Sequence, residues 1–554
     1  MRGSDRTWRQ LLFWGMAAAV ACTWFLTLDA RHLLPADEGR YAEIAREMLA
    51  SGDWITIRYN GLKYFEKPPF QIWMTALAFK AFGVGEWQAR LWVAISGAAG
   101  LLITAEAARR WFGPRVAVMT GLVLLALPAW NLGSHFNSLD MGVSGALGFV
   151  LAAVLIALHP SSSKSAQRRW MWAAWAAMGV AALTKGLIGI ALPALVLIVY
   201  TLVARDFSIW RRLQIPVGVL LFLAITEPWL VLVSQRNPEF LNFFFVHEHF
   251  QRFISTVHRR EGAWWYFIPI ALVGFLPWLP LSPAMVRAVR SERITEGFRP
   301  VLLLVVWAAS IFVFFSLSSS KLPGYLLPIY PALAIIAAIA LDRLRPAQWG
   351  RQLLILGSAL VCALLAMPVL ARLGSSVTPN TLYRDFIPWV VASCLIALVG
   401  LVIAWRLKAT SMMGSIVACA LAFFLAETVA MRGHEVFGRS SSGVSLVARI
   451  EAVSDRQMSI YSVKLLDHTL PFYLRRTMVM VQEPGELEFG TQQEPDKWLP
   501  SLDAFESRWT SGPHALALMS PQTYELLSQR HLPMTRVAAD TRRVVVANFE
   551  PAPK

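Results

Sequence analysis

The chain has 554 residues, of which 56% are hydrophobic and 16% are charged, and its formal net charge is +16. A water-soluble enzyme does not need so much apolar surface, so the composition indicates a membrane protein. Lys and Arg concentrate in the cytoplasmic loops of such proteins, and this explains the basic excess without nucleic-acid binding.

Thirteen apolar stretches between residues 8 and 430 are long enough to cross a hydrocarbon core of about 30 Å, and each must be helical because no water there satisfies the backbone. A further stretch, 68–83, is short and carries Lys80, which favours a position in the membrane interface. The thirteen spans begin near Leu11, Trp87, Val116, Met141, Trp170, Leu187, Ile215, Trp264, Val301, Leu322, Leu353, Phe386 and Met412.

The loops alternate in charge in a way that predicts the topology. With thirteen spans and a cytoplasmic N-terminus, every even-numbered connection is basic and nearly free of acids, as the positive-inside rule requires. The basic loops contain Arg109/Arg110/Arg115, Lys164/Arg168/Arg169, Arg205/Arg211/Arg212, Arg287/Arg290/Arg293/Arg299, Arg343/Arg345/Arg351 and Arg406/Lys408. We therefore expect a polytopic membrane protein whose other loops face the non-cytoplasmic side.

The composition changes near Arg432, which divides the chain into a transmembrane part, 1–431, and a C-terminal domain, 432–554. Within that domain MSIYSV, TMVMVQ and RRVVVANF predict strands, and SPQTYELLSQ predicts a helix. Gly433, Gly438 and the run 440–443 indicate a linker. Because the thirteenth span ends outside, we expect an α/β domain on the non-cytoplasmic side, with a structural or acceptor-related role.

Candidate functional residues lie in four outer loops, 29–68, 131–140, 234–262 and 316–325. In the first, DEGRYAEIAREML predicts a helix that begins at Asp37, with Arg40 and Tyr41 in its first turns. Asp37 could be an N-cap, but a cap needs one acid and Asp37 is followed by Glu38 at the exit of a span. A catalytic carboxylate is the preferred interpretation.

The same loop ends in Glu66-Lys67-Pro68-Pro69. Two prolines fix the backbone, so Glu66 and Lys67 are held rigidly at the membrane surface. A Lys that snorkels beside a Glu is the plain alternative. The rigid presentation favours a site.

Other charged residues fall at the outer ends of later spans. Asp140 and Lys185 are either functional residues or interfacial anchors, and the sequence leaves both interpretations open. The segment FFVHEHFQRF brings His247, Glu248, His249 and Arg252 within six positions, and SSSKLPGY places Lys321 and Tyr325 at another outer end. A transporter would carry such charges at the bilayer midplane, so helix ends favour an enzyme that acts on a lipid head group.

DEGRYAEIAREML with GDWITIRYNGLKYFEKPPFQIWM resembles the first outer loop of GT-C membrane glycosyltransferases, the protein O-mannosyltransferase superfamily. TKGLIGIALP, FVHEHFQRF, FLPWLP and SSSKLPGYLLPIYPALA resemble one branch, the bacterial lipid A aminoarabinose transferases. The similarity runs in order from residue 37 to about 335. It implies a polytopic α-helical protein of the GT-C type in the bacterial inner membrane, with its active site and C-terminal domain facing the periplasm.

The resemblance implies that 4-amino-4-deoxy-L-arabinose moves from an undecaprenyl phosphate-linked donor to a lipid A phosphate, which confers polymyxin resistance. Asp37, Asp140 and Glu66 then take the family's acidic positions. Lys67 and Arg252, with Lys185, stabilise the leaving phosphate. Arg40, Tyr41, Lys321 and Tyr325 complete the expected donor-binding set. Asp37 orients the sugar or the acceptor, and a single displacement predicts inversion.

Glu66 and His247 together offer one carboxylate and one imidazole, which could hold a divalent ion such as zinc. Two ligands distant in sequence are weak support, and a structural histidine is favoured, so no cofactor is required. Transfer of another sugar, or transfer to protein, stays open as an alternative enzyme function. A lipid-linked sugar flippase is the alternative outside enzymes.

Overall fold

The computed structural model describes residues 2–244, 262–292 and 297–551, and for residues 2–10, 12 and 13 it describes the backbone alone. A helical bundle fills the first four-fifths of the chain. Its helices are Arg2–Leu26, Phe70–Phe82, Glu86–Phe112, Pro114–Leu125, Pro128–Gly133, Leu139–Ala157, Lys164–Lys185, Ile188–Ala204, Ile215–Arg236, Phe267–Gly274, Ser282–Arg290, Pro300–Leu317, Tyr330–Asp342, Pro346–Leu365, Met367–Leu370, Asn380–Leu407 and Met412–Gly433.

The predicted spans all coincide with helices, which confirms a polytopic α-helical membrane protein. Within the described ranges, eight helices are long and apolar enough to cross a membrane, or nine if the bent pair Phe267–Gly274 and Leu279–Arg290 forms one span. Pro114–Leu125 and Ile188–Ala204 are apolar but shorter than 18 residues. The count of thirteen crossings stays a prediction.

Burial separates central helices from peripheral ones. The most apolar window of Leu139–Ala157 is 89% buried inside the protein, whereas that of Ile215–Arg236 is 22% buried and presents its apolar side chains outward. Small residues allow the central helices to approach closely, as membrane bundles require. A Cβ on Gly145 would lie 2.6 Å from the carbonyl oxygen of Ser96.

Contacts gather several basic loops at one end of the bundle, called here the basic end. Arg115 pairs with Asp342 at 2.9 Å between Nε and Oδ1, and Arg343 donates to the Ser291 hydroxyl at 2.7 Å. The Arg299 amide donates to the Tyr200 hydroxyl at 2.8 Å. Loops far apart in sequence therefore share one end, as the charge pattern predicts.

The first outer loop forms the loop helix, Asp37–Ser51, and a two-stranded hairpin, β1 (Arg58–Tyr59) and β2 (Leu62–Lys63). The polar face of the loop helix is buried as well as its apolar face. Arg46 donates two hydrogen bonds of 2.6 Å to Glu43, and Glu47 accepts from the amides of Asn60 and Gly61 at 2.6 and 2.8 Å. Burial raises the pKa of Glu43 to about 8, despite the opposing hydrogen bond from Arg46.

The predicted interfacial stretch contains the helix Phe70–Phe82, which has 13 residues. At 1.5 Å per residue it is about 20 Å long, too short for a hydrocarbon core of about 30 Å. Its place in the interface stays a prediction.

The C-terminal domain contains a mixed five-stranded sheet in the order β4-β3-β5-β7-β6. β3 pairs in parallel with β4 and β5, and β7 pairs antiparallel with β5 and β6. Helices pack on both faces, so alternate strand residues enter two separate cores. The strands are β3 (Ser459–Val463), β4 (Val479–Val481), β5 (Ala515–Met519), β6 (Thr535–Ala539) and β7 (Val544–Ala547), and the helices are Val444–Val453, Leu470–Leu474, Glu488–Gln493, Leu502–Ser511 and Pro521–Gln529.

The four segments assigned from the sequence of this domain are confirmed as three strands and a helix. The prediction of a linker at 440–443 is wrong. The helix Glu435–Ser442 continues into Val444–Val453 with a break at Gly443, whose φ of +73° few other residues adopt. Serine and glycine here form the packed joint between two helices.

The C-terminal domain packs directly on the first outer loop. A Cβ on Gly39 would lie 2.2 Å from the carbonyl oxygen of His468, so only glycine permits this approach of the two backbones. Asn60 exchanges two hydrogen bonds with the backbone of Met478, at 2.8 and 2.7 Å. The loop is thus held between the bundle and the C-terminal domain.

Candidate active site

A cavity of about 200 Å³ lies at the end of the bundle opposite the basic end, called here the cavity end. Residues from the first outer loop and from the ends of several bundle helices form its wall. Eight of the residues predicted from the sequence line it, namely Asp37, Arg40, Tyr41, Glu66, Lys67, Asp140, Lys185 and Tyr325. Candidates separated by almost 300 positions are therefore brought together.

Asp37 is the first residue of the loop helix, not its N-cap. Ala36 occupies the cap position, and no side chain there accepts a hydrogen bond from the first turn. The Asp37 carboxylate instead accepts from Arg40 Nη2 at 2.8 Å and keeps 28% of its side chain exposed. The capping interpretation of Asp37 is not supported, and its carboxylate faces the cavity.

Glu66 and Lys67 lie next to each other at the cavity wall, before Pro68 and Pro69. Lys67 Nζ donates to the Glu66 carbonyl at 2.9 Å and lies 3.7 Å from its carboxylate. The Tyr64 hydroxyl donates to Glu66 Oε2 at 3.4 Å. Both side chains are mostly buried, at 9% and 15% exposure, so a ligand phosphate would meet an ammonium shielded from bulk water.

Asp140 and Lys185 form a second buried pair on the opposite wall. Asp140 lies in the first turn of Leu139–Ala157, and Lys185 is the last residue of Lys164–Lys185. Their side chains are joined by a short ion pair, and the Lys185 ammonium lies 4.4 Å from the centre of the Tyr325 ring. Gly324 allows this approach, since a Cβ there would lie 2.6 Å from Asp140 Oδ2.

Lys321 has a different environment from the other predicted cations. Its ammonium donates to the carbonyls of Ser316 and Ser318, at 2.8 and 2.7 Å, and thereby satisfies the C-terminal end of Pro300–Leu317. It does not line the cavity. These contacts describe a helix cap.

The C-terminal domain contributes two residues that the sequence did not suggest. Glu486 Oε2 lies 2.8 Å from Arg40 Nη1, and His468 Nδ1 lies 3.5 Å from the other Glu486 oxygen and 2.8 Å from the Tyr59 hydroxyl. Burial raises the pKa of Glu486 to about 7, although Arg40 lowers it, and burial lowers the pKa of His468 to about 4. Arg40 thus bridges Asp37 and a carboxylate from another domain.

A second unpredicted cluster lies behind the loop helix. Glu38 is fully buried and accepts hydrogen bonds from Arg31 and from Arg90, the latter at 2.8 Å. Burial alone would raise the pKa of Glu38, but the two guanidinium groups lower it to about 2. The paired acids at 37–38 therefore divide their roles, since Glu38 anchors the helix and Asp37 faces the cavity. The signal in the sequence was the Asp-Glu pair itself. It does not show which of the two acids is buried behind the loop helix and which one lines the cavity.

His247 and Arg252 lie outside the described residues, so their predicted roles stay predictions. Within the described ranges, no group of three or more His, Cys, Asp and Glu side chains could hold a metal ion. Glu66 is the single proposed ligand that can be inspected, and its neighbours Tyr64 and Lys67 are donors, which suit a carboxylate that accepts hydrogen bonds.

Comparisons place this architecture among known proteins. Residues 66–232 match the family of dolichyl-phosphate-mannose-protein mannosyltransferases. The archaeal oligosaccharyltransferase AglB from Archaeoglobus fulgidus shares the fold with a TM-score of 0.52 and 12% identity, over 93% of this chain and 70% of that one. The chain therefore has a fold of the GT-C type, a helical membrane bundle with a polar cavity at one end.

The particular family follows from closer matches. Residues 446–548 match the aminoarabinose transferase C-terminal domain. The crystal structure of ArnT from Cupriavidus metallidurans bound to undecaprenyl phosphate is similar with a TM-score of 0.94 and 51% identity, over 97% of this chain and 98% of that one. The chain belongs to the ArnT family of aminoarabinose transferases, which confirms the resemblance seen in its sequence.

Curated relatives carry the same family name. The undecaprenyl phosphate-alpha-4-amino-4-deoxy-L-arabinose arabinosyl transferase of Edwardsiella ictaluri is 33% identical over 333 residues, 59% of each chain. That of Pseudomonas aeruginosa strain UCBPP-PA14 is 33% identical over 375 residues, 66% of each chain. The chain spans less than two thirds of the length of these curated relatives.

Proposed function

We propose that the protein is a glycosyltransferase that moves 4-amino-4-deoxy-L-arabinose from undecaprenyl phosphate to a phosphate of lipid A. The observation that carries the proposal is the similarity to the undecaprenyl phosphate-bound ArnT structure, which extends over 97% of this chain. The cavity end supports it, because it combines ammonium groups with carboxylates at the helix ends. The reaction takes place at the periplasmic face of the inner membrane and confers polymyxin resistance.

The carrier phosphate binds at Lys67 and Lys185. Both ammonium groups line the cavity beside a carboxylate, and both are largely shielded from water. An ionic hydrogen bond is stronger in such a place than in water, and it strengthens further as the leaving phosphate gains charge. Arg252, from the third predicted outer loop, adds a third cation.

The chemistry is a single displacement at the anomeric carbon. An oxygen of the acceptor phosphate forms the new bond as the bond to the carrier phosphate breaks, and undecaprenyl phosphate leaves with the electron pair. The acceptor phosphate is already anionic near pH 7, so a strong general base is not needed. Asp37 and Glu66 orient the amino sugar and stabilise positive charge that develops at its anomeric carbon. The anomeric configuration inverts.

The test is mass spectrometry of lipid A from a strain that lacks its own arabinosyl transferase and expresses this chain. The expected result is a mass increase of one aminoarabinose on a lipid A phosphate, with polymyxin survival rising in parallel. A matched reaction with purified protein compares donors that carry aminoarabinose or mannose. Transfer of mannose alone, or transfer to protein, would replace the proposal with an O-mannosyltransferase function.

Orientation has a separate test. Reporter fusions after Lys408 and at Lys554 should report the cytoplasm and the periplasm respectively. Two fusions on the same side would contradict both the thirteen-span topology and a periplasmic site.

A further inference from the structure

A second cavity, of about 520 Å³, lies at the joint between the bundle and the C-terminal domain. It is called here the junction cavity. Most of its lining is apolar or aromatic and comes from the first outer loop, the segment 370–386 and the helix Glu435–Ser442. A polar edge completes it, and the hairpin between β6 and β7 contributes Arg542 to that edge.

The aromatic part of the wall is packed, and this keeps the cavity shaped. Phe437 lies 5.3 Å from Tyr383 and 5.4 Å from Phe386 between ring centres. Such a surface takes hydrocarbon from water favourably. The cavity therefore has the lining that a lipid chain requires.

Arg542 gives the polar edge its charge. Its Nη2 donates to the Thr378 hydroxyl at 3.3 Å, while its Nε is buried without a hydrogen-bond partner. Among the described residues no carboxylate lies within ion-pair distance of Arg542, because the neighbouring acids Asp467 and Asp540 both pair with Arg543. His434 Nδ1, also at the cavity, is likewise buried without a partner.

Arg542 is half-buried and has no counter-ion among the described residues, and the ring of His434 lines the same cavity. These two groups are complementary to a phosphate. Apolar lining on one side and a phosphate-binding edge on the other describe an anionic lipid. An ordinary polar solute would leave the aromatic wall in contact with water.

The junction cavity is close to the active-site cavity. Leu34 and Pro35 line the former, and Asp37 lines the latter. Two residues of chain span at most about 7 Å, so only a short stretch of backbone separates the two sites. The active-site cavity, at about 200 Å³, is smaller than the junction cavity, at about 520 Å³.

We infer that the junction cavity binds the phosphorylated acceptor lipid, with a non-reacting phosphate at Arg542 and His434 and part of an acyl chain against the aromatic wall. The inference rests on the proposed function for the identity of the acceptor. It assigns the C-terminal domain a direct part in acceptor binding, separate from the donor-binding ammonium groups.

The test measures transfer by purified protein in nanodiscs, with donor and lipid A varied separately. Arg542→Gln should raise the KM for lipid A about tenfold and leave kcat and the donor KM within twofold. Arg542→Lys should restore part of the loss. Arg530→Gln is the matched control, since this guanidinium of the same domain pairs with Asp503 and Glu506. An unchanged KM for lipid A, or an equal rise in both KM values, would overturn the inference.

A second variant guards against a folding defect at Arg542. Leu382→Trp fills the cavity from the bundle side, and it should raise the same KM. Direct binding, read by native mass spectrometry, compares lipid A with dephosphorylated lipid A and with phosphatidylglycerol. Equal binding of all three, insensitive to Arg542→Gln, contradicts an acceptor site. If the wild type binds lipid A through Arg542 but transfers nothing to it, the proposed function fails and the cavity assignment stands.

Discussion

Ion pairs occur at both ends of the bundle, but their surroundings differ. At the basic end, Arg109 and Glu106 are 53% and 30% exposed, and Arg115 and Asp342 are 56% and 36% exposed. At the cavity end, the exposure of Arg40, Lys185 and Asp140 is 4%, 16% and 11%. Moving an ion from water into the protein interior costs several kcal/mol, and the attraction within a buried ion pair often does not offset that cost. Buried pairs therefore contribute little to the stability of the fold. The exposed charges agree with the predicted topology, whereas the buried charges agree with the proposed site.

The largest expected effect is at Asp37. Asp37→Asn keeps the shape of the side chain and a hydrogen bond to Arg40, but it removes the negative charge beside the reacting sugar. We expect kcat to fall about 100-fold or more. The measurement is initial transfer rate at saturating donor and acceptor, with Asp503→Asn, an exposed acid of the C-terminal domain, as the matched control. Wild-type kcat for Asp37→Asn would remove Asp37 from the chemistry.

Lys67 should rank second. Lys67→Ala removes an ammonium that lies in a largely shielded wall, and we expect a loss of about 10- to 100-fold in kcat/KM for the donor. Lys80→Ala, at the exposed end of Phe70–Phe82, is the matched lysine control. Equal, small effects of the two substitutions would mean that burial at the cavity end has no bearing on donor binding.

Glu486 tests whether the C-terminal domain reaches the chemistry. With a pKa of about 7, raised chiefly by burial, Glu486 is mostly protonated below neutral pH and mostly ionised above it, and the ionised form holds Arg40 through a charged hydrogen bond. Activity of the wild type should therefore rise through pH 7. Glu486→Gln should be about tenfold slower at pH 8, equal to the wild type below pH 6, and without this limb in its pH profile. An identical profile for both proteins would make Glu486 a purely structural residue.

The same group predicts the opposite trend in stability. Its folded-state pKa exceeds the ordinary value of 4.5, so the folded protein binds this proton more tightly than the unfolded chain does. The contribution of protonated Glu486 to the free energy of unfolding is complete below pH 4.5 and is lost as pH rises to about 7. The Tm difference between Glu486→Gln and the wild type should grow in favour of the variant over that range. A constant difference would show that Glu486 does not titrate there.

Gly39 tests the packing of the loop helix against the C-terminal domain. Gly39→Ala places a Cβ against the His468 carbonyl, and one backbone must move. We expect a loss of about 1–3 kcal/mol in stability and a severalfold loss of activity. Gly357→Ala, where nothing lies within 4 Å of the added Cβ, is the matched control and should be neutral. Thermal unfolding in detergent compares the two, and equal Tm values would show that the domains are not in close contact.

The smallest effect is expected at the basic end. Glu106→Gln breaks two exposed pairs, each worth about 0–1 kcal/mol, and it should leave transfer activity within twofold of the wild type. A large loss of activity at this position would contradict the division between the two ends.

The helical bundle could be predicted from the sequence because a membrane-spanning helix needs about 20 consecutive apolar residues, and stretches of that length can be read directly from the chain. Asp37, Glu66 and Lys67 could be proposed because each stands at the exit of a span or beside prolines. Glu486 could not, since its local sequence, EPGELEF, is that of an ordinary surface turn and its importance comes from burial against Arg40. Lys321 is the opposite case. Its position at an outer helix end suggested donor binding, but its ammonium donates to two backbone carbonyls.

The contact between the first outer loop and the C-terminal domain has a consequence for biosynthesis. The Leu33 amide donates to the Tyr473 hydroxyl, 440 positions later in the chain. Arg40 pairs with Glu486, which is similarly distant in sequence. At about 5–20 residues per second, ribosomes need roughly 20 to 90 s to make the intervening chain. The loop is therefore synthesised long before its partners exist, and its contacts with the C-terminal domain form only when that last domain has folded. A truncated or stalled chain would insert in the membrane and remain inactive.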